Sequence, residues 1–64
     1  MLTVKLKKKE DRRVLRGHPW VFSNEVQDLP ADAAPGELVD VRAHDGAFVG
    51  RGYLNPHSLI AIRI

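Results

Sequence analysis

The segment from Arg16 to Ser23 (RGHPWVFS) divides this 64-residue chain into two unlike parts. Gly17 can adopt the left-handed backbone conformation that closes a helix, and Pro19, two residues later, prevents the helix from continuing. Trp20 and Phe22 follow at once and supply large apolar surface to a chain with only four aromatic residues. The segment therefore predicts a boundary between a charged, helical N-terminal region and a mainly β remainder.

The size and composition of the chain restrict its class. A chain of this length forms one domain and buries only about 60% of its unfolded surface, so its stability margin is narrow. It contains no cysteine, which excludes disulfides and thiolate metal sites. No apolar run approaches the roughly 20 residues of a membrane span, and the alternating start is unlike a signal peptide. These features favour a small cytoplasmic domain.

Positive charge is concentrated near the N-terminus. From Met1 to Arg16 seven basic residues stand against two acidic ones, a net charge of +5, whereas the rest of the chain carries −3. A one-sided basic segment on a mildly acidic body is typical of a surface that binds a polyanion. A solvated terminus that only aids solubility is the alternative. The residues of this basic segment are Lys5, Lys7, Lys8, Lys9, Arg12, Arg13 and Arg16.

Local patterns predict a strand followed by a short helix. Alternation of apolar and polar residues indicates a half-buried strand from Leu2 to Leu6. Acids at its start and a base at its end suit a helix from Glu10 to Arg16. Val14 and Leu15 are the apolar residues of this helix, so we expect both to face the body of the domain. Its arginines are expected to lie largely in solvent.

A β-hairpin formed by residues 37–43 and 47–54 is the clearest structural signal. Asp45-Gly46 favours a two-residue type I′ turn between the two strands. The resulting register pairs Val39 with Gly52, Asp40 with Arg51, Val41 with Gly50 and Ala43 with Phe48.

This register also makes predictions about the two faces of the hairpin. It places Phe48 on the apolar face, together with Gly50 and Gly52. Two glycines on one strand face indicate a bend or the close approach of another backbone. Weaker alternation predicts a strand around residues 25–29 and a last strand over residues 59–64.

The sequence offers no catalytic or metal-binding constellation. The three histidines, His18, His44 and His57, are widely spaced and lack the spacing of zinc ligands. Ser23 and Ser58 have no identifiable base partner. We therefore expect no catalytic residue and no metal site in these 64 residues.

A second candidate set lies where the helix ends, and we call Gly17–Trp20 the loop edge. With Asn24 and Arg51, an exposed backbone and an aromatic or imidazole plane there can meet an unstacked RNA base. Packing in the core is the alternative for Trp20 and is favoured, because so small a core needs its aromatic residues. The role of His18 stays open between packing and contact.

Two segments resemble a known family. Leu15–Val26 (LRGHPWVFSNEV) and Gly50–Ile64 (GRGYLNPHSLIAIRI) resemble the opening of the class I, SAM-dependent methyltransferases that modify cytosine C5 in large-subunit ribosomal RNA. The resemblance covers almost all of residues 2–64. It implies an N-terminal PUA-like domain, a mainly β, α+β pseudo-barrel of mixed sheet with one short helix after the first strand. It also implies RNA contact near that helix, at Arg12, Arg13, Arg16, Gly17 and His18.

The resemblance further implies what lies outside this chain. The family continues into a SAM-binding, Rossmann-like domain with a catalytic cysteine, so SAM and methyl transfer belong to that domain and the 64 residues alone are expected to be inert. The implied partners are structured ribosomal RNA and the C-terminal methyltransferase domain, and a homodimer of the parent protein is left open. The chain stops within an apolar strand at Ile64, which suggests an N-terminal piece of a longer protein.

We therefore predict a single PUA-like domain, residues 1–64, that binds ribosomal RNA and positions it for a methyltransferase domain. The alternative is a structural or subunit-interaction domain that packs on the catalytic domain without touching RNA. The predicted RNA-binding residues are Lys7, Lys8, Lys9, Arg12, Arg13, Arg16, Gly17, His18, Trp20, Asn24 and Arg51.

Overall fold

Five strands form one mixed sheet in the computed structural model, which describes residues 2–30 and 32–64. The order across the sheet is β1-β3-β4-β5-β2, with β1 parallel to β3 and every other neighbouring pair antiparallel. This is the predicted mainly β architecture with one short helix. Within the described ranges, no helix has the length and apolarity needed to cross a bilayer. The elements in chain order are β1 (Leu2–Lys5), α1 (Arg12–Leu15), β2 (Trp20–Phe22), a 3-10 helix (Ser23–Glu25), β3 (Glu37–Arg42), β4 (Phe48–Leu54) and β5 (Ile60–Arg63).

The core of the domain is aliphatic. Val4 on β1 is buried as the alternating pattern predicts, and Leu6 continues that alternation through a single bridge to Val26. Small branched side chains fill the core because they pack well on a pleated surface. The largest fully buried side chains are Leu6, Leu54, Ile62, Val4, Val21, Val39 and Val41.

Helix α1 is a single turn, shorter than the helix predicted from Glu10. It ends as predicted: Gly17 has φ +94°, its N–H donates to the Val14 carbonyl, and the His18 N–H donates to the Arg13 carbonyl. These two bonds form a Schellman motif. The expectation that Leu15 faces the body is wrong, since its side chain is 64% exposed. One turn has little inward surface, and Val14 and Arg13 occupy it.

The strand predicted around residues 25–29 is wrong as well. The chain extends earlier, as β2, and then curls into the 3-10 helix, leaving only Val26 in an isolated bridge. The curl has a local cause, because the Glu25 carboxylate accepts the N–H of Phe22 at 2.8 Å. Residues 27–30 then run as a connection.

The hairpin between β3 and β4 has the predicted central register but a different turn. Asp40 lies opposite Arg51, and their side chains form the predicted pair at 2.7 Å. The predicted type I′ turn is wrong, since that turn needs positive φ at both central residues and only Gly46, at +94°, has it. A three-residue loop closes the hairpin instead, with the Ala43 N–H donating to the Ala47 carbonyl at 2.8 Å.

The extra loop residue changes which side chains pair. The register shifts between Val41 and Arg42, so Phe48 lies opposite Arg42 rather than Ala43. Because a one-residue slip moves a side chain to the other face, Phe48 is 54% exposed while Ala43 stays buried. The expected place of Phe48 on the apolar face is therefore wrong.

The glycine prediction is confirmed at Gly52. A Cβ atom added there would lie 2.8 Å from the Cα of Ile64 and would collide with the backbone carbonyl of Arg63. The backbone at Arg63 and Ile64 thus leaves no room for a side chain at position 52, which is the close approach that a glycine permits.

Candidate nucleic-acid interface

The turn before α1 and the helix itself present most of the basic segment to solvent. Arg12 and Arg16 are exposed, and neither forms a salt bridge with any residue that the structure describes. The lysines lie in and before a turn closed by the Glu10 N–H donating to the Lys7 carbonyl, and all of them are exposed. From residue 7 to residue 16, the basic side chains that form no salt bridge with any described residue are Lys7, Lys8, Lys9, Arg12 and Arg16.

Arg13 differs from the other basic residues, because it is already engaged within the domain. Its Nη2 donates to Glu25 Oε1 at 2.8 Å, and its guanidinium carbon lies 4.8 Å from the centroid of the Phe22 ring. Glu25 is only 7% exposed. Arg13 therefore fastens α1 to the 3-10 helix, and its contact with phosphate stays a prediction.

The loop edge forms one wall of an open cavity of about 400 Å³, lined by Arg13, Arg16, Gly17, His18 and Pro19. The Nδ1 atom of His18 accepts the N–H of Trp20 at 3.3 Å. In the neutral ring this bond assigns the proton to Nε2, which makes Nε2 a donor. The structure thus brings together four of the predicted residues: Arg13, Arg16, Gly17 and His18.

Trp20 lies on the outer face of the sheet rather than in the core. Its side chain is 41% exposed, so the favoured core packing of Trp20 is wrong. The ring of His18 meets it edge-on, with 6.1 Å between the ring centroids. Trp20 therefore connects the loop edge with the sheet surface.

Two predicted residues belong to elements other than α1 and the loop edge. Asn24 is exposed in the 3-10 helix, and Arg51 is exposed on β4, where its Nε donates to Asp40. Neither lines the cavity at the loop edge. Their contact with RNA stays a prediction that this cavity does not support.

Sequence reasoning missed Glu25, Tyr53 and Arg63. The spacing from Phe22 to Glu25 was an available signal, since a carboxylate three residues on can reach back to the N–H that precedes a helical turn. Tyr53 and Arg63 are exposed on neighbouring strands. Their proximity to Trp20 follows from the pairing of β2 with β5, which no local pattern predicts.

The site residues do not fit SAM. That cofactor carries a ribose, which nucleotide-binding folds hold with an acidic side chain. Neither the cavity at the loop edge nor a second one of about 210 Å³ beside Tyr53 is lined by a carboxylate. Over residues 2–30 and 32–64 we also find no group of three histidine or acidic side chains able to hold a metal ion.

A mixed five-stranded sheet with a short helix after β1 and a basic edge beside that helix defines a class of small domains. The chain belongs to the PUA-like domain family, whose sequence pattern matches residues 4–64.

Named relatives narrow the comparison. The chain is 44% identical over 64 residues to ribosomal RNA large subunit methyltransferase I of Shewanella denitrificans, covering 98% of this chain. It is 42% identical over 59 residues to the protein of the same name from Cronobacter sakazakii, covering 92% of this chain. The match spans only 16% and 15% of those two relatives. The similarity therefore concerns one small part of much longer proteins.

Proposed function

We propose that this domain binds ribosomal RNA and holds it for a SAM-dependent methyltransferase domain of a longer protein. The relatives bear the name ribosomal RNA large subunit methyltransferase, and the chain corresponds to a small part of their length. SAM and the reacting base belong to the remainder of such a protein, since the residues described here do not fit the cofactor. Because ribosomal RNA is the proposed substrate, we expect the protein to act in the cytoplasm.

The observation that carries the proposal is the open cavity beside unpaired cations. Arg16 lines the cavity and Arg12 lies one turn earlier on the same short helix, both exposed. Arginine offers a planar, multidentate donor set that matches phosphate oxygens. A strand of RNA that passes along α1 would meet two such groups and the lysines that precede them.

The backbone of the loop edge restricts how this contact is made. The N–H groups of Gly17 and His18 are both consumed by the Schellman bonds, and Pro19 has no N–H. The backbone here therefore has no amide left for a phosphate, unlike a glycine-rich phosphate loop. Binding must come from side chains, chiefly Arg16 and the Nε2 atom of His18.

The test is removal of the unpaired charges without disturbing the fold. We expect the Arg12→Gln/Arg16→Gln variant to bind structured RNA more weakly. We also expect the slope of log affinity against log salt to fall by roughly 1.4–1.8, because each phosphate contact contributes about 0.7–0.9. Arg13 is left intact because it anchors α1. Fluorescence of Trp20, the single tryptophan, reports binding beside the cavity without a label.

The matched control is Ala34→Glu/His57→Glu, which changes the net charge equally at two exposed loop residues outside the cavity. If it weakens binding as much as the arginine variant, only overall charge matters and the proposed edge is wrong. If the wild-type domain fails to bind structured RNA at low salt, as measured also by electrophoretic mobility, the alternative of a structural domain replaces the proposal.

A further inference from the structure

Four adjacent strands each place one exposed residue in a single row across the outer face of the sheet. Leu38 on β3 lies opposite Tyr53 on β4, Tyr53 opposite Arg63 on β5, and Arg63 opposite Trp20 on β2. We call these four residues the aromatic row. It differs from the cavity at the loop edge, whose lining residues all precede Trp20.

The aromatic row is open to solvent. Tyr53 is 62% exposed, Trp20 is 41% exposed and Leu38 is 38% exposed. Arg63 is exposed as well, and its guanidinium carbon lies 5.8 Å from the centroid of the Trp20 ring. The cation and the ring attract each other in this arrangement, which keeps Arg63 beside Trp20.

The charge around the row favours a polyanion. The next rows along the strands, read from the register of β1, β3 and β4, carry Lys5 and Arg42 beside the pair of Asp40 and Arg51. Asp40 is already neutralised by Arg51. An acidic protein surface would also pair with these cations. It would not supply flat groups to stack on the rings of Trp20 and Tyr53, whereas RNA bases would.

We propose that the aromatic row stacks unpaired bases of a single-stranded RNA segment. This inference rests on the proposed function and extends it from phosphate contact to base contact. Neighbouring strands are about 4.8 Å apart, so Trp20 and Tyr53, two strands apart, are separated by roughly 10 Å and each can receive its own base. Arg63 lies between them, where it reaches the intervening phosphate or stacks on a base.

The row is continuous with the proposed phosphate edge, by which we mean Arg12, Arg16 and His18. His18 lines the cavity and its ring touches Trp20 edge-on. An RNA held by its backbone along α1 can therefore continue past His18 onto Trp20 and Tyr53. Backbone contact at one end and base stacking at the other together favour a junction between a duplex and a single strand.

The experiment compares two RNA probes and a small set of variants. The probes are a blunt duplex and the same duplex with a short single-stranded adenine overhang. We expect Tyr53→Ala to weaken binding of the overhang probe roughly 5- to 150-fold, which corresponds to the loss of one stacked base. Binding of the blunt duplex stays unchanged. Leu59→Ala is the control, because Leu59 is 73% exposed and lies outside the row.

The remaining outcomes separate this inference from the proposed function. If Tyr53→Ala leaves both probes unaffected while Arg12→Gln/Arg16→Gln weakens both, the stacking proposal fails and the phosphate edge stands. If Tyr53→Ala weakens both probes equally, Tyr53 does not read single strands and the proposal is overturned. If Tyr53→Ala changes only the self-association of the domain, as measured by sedimentation, the aromatic row is a protein interface and the stacking proposal is overturned. A wild-type domain that ignores the overhang also overturns the proposal.

Discussion

Two arginine–carboxylate pairs of nearly equal length hold this domain, and they differ in what surrounds them. Arg13 and Glu25 meet at 2.8 Å, with Glu25 buried and also accepting the N–H of Phe22. Arg51 and Asp40 meet at 2.7 Å across two strands, with 53% and 19% of their side chains exposed. Distance alone would rank the pairs as equals. Burial and additional hydrogen bonding instead assign most of the stabilisation to Arg13 and Glu25.

The buried pair also shows that Arg13 has a structural role that the other residues of the basic segment lack. Arg13 orders α1, and therefore orders the cavity that Arg16 and His18 line. A substitution of Arg13 would therefore weaken RNA binding partly because it disorders the cavity. A charge-reversal experiment that includes Arg13 would confuse loss of fold with loss of contact, so the two effects must be measured separately.

The largest expected effect is that of Glu25→Ala. The change leaves the Phe22 N–H without its acceptor and removes the partner of Arg13. We expect a loss of about 2–3 kcal/mol in the free energy of unfolding, less than for a fully buried pair because Arg13 is half-exposed. A domain of this size has only about 3–10 kcal/mol in total. Urea unfolding followed by circular dichroism measures the change, and a loss no larger than that of Asp40→Ala would break the comparison.

The next effect is that of Arg13→Met, which keeps the aliphatic stem but removes the guanidinium. Glu25 then keeps one hydrogen bond but loses its charge partner, and Phe22 loses its stacked cation. We expect a cost of about 1–2 kcal/mol. Arg12→Met on the same turn is the control, expected to cost less than about 0.5 kcal/mol as an ordinary surface change. Equal costs for the two variants would mean that Arg13 does not anchor the helix.

Glu25→Gln sharpens the comparison by removing the charge while keeping an acceptor oxygen. The amide carbonyl can still accept the N–H of Phe22, so the 3-10 helix retains its local bond. We expect a cost of about 1 kcal/mol, well below that of Glu25→Ala. Thermal unfolding of the three proteins in parallel would test this order. If Glu25→Gln and Glu25→Ala were equally destabilised, the charge rather than the hydrogen bond would dominate.

The smallest effect belongs to the exposed pair. Asp40→Asn should cost only about 0.2–1 kcal/mol and should depend on salt, because solvent screens exposed charges. A double-mutant cycle with Arg51→Gln isolates the pair energy. A coupling as large as that between Arg13 and Glu25 would show that burial does not distinguish the two pairs.

The sequence predicts what depends on local pattern and misses what depends on pairing between distant segments. Gly17 as the helix end, Asp40 opposite Arg51 and the close approach at Gly52 follow from residues a few positions apart or from one hairpin. The three-residue loop and the register shift near Arg42 were not predictable from Asp45-Gly46, and they leave Phe48 exposed to solvent.

The candidate site divides in the same way. The exposure of the cations in the basic segment follows from the sequence, because consecutive lysines are costly to bury and therefore lie in solvent. The partner of Arg13 could not be predicted, because Glu25 lies twelve residues away in a segment expected to be a strand. The aromatic row depends on β2 lying beside β5, which is a property of the whole sheet.

The strand order has a consequence for the time course of folding. The hairpin of β3 and β4 joins neighbours in the chain, whereas β1 needs β3 and β2 needs β5. Hairpins close in about 1–10 μs, and strand partners separated by longer loops must wait for costlier closure. On the ribosome the N-terminal third therefore emerges with no partner yet made. Trp20 remains unpaired until β5 has been synthesised, whereas β1, at the start of the basic segment, needs only β3.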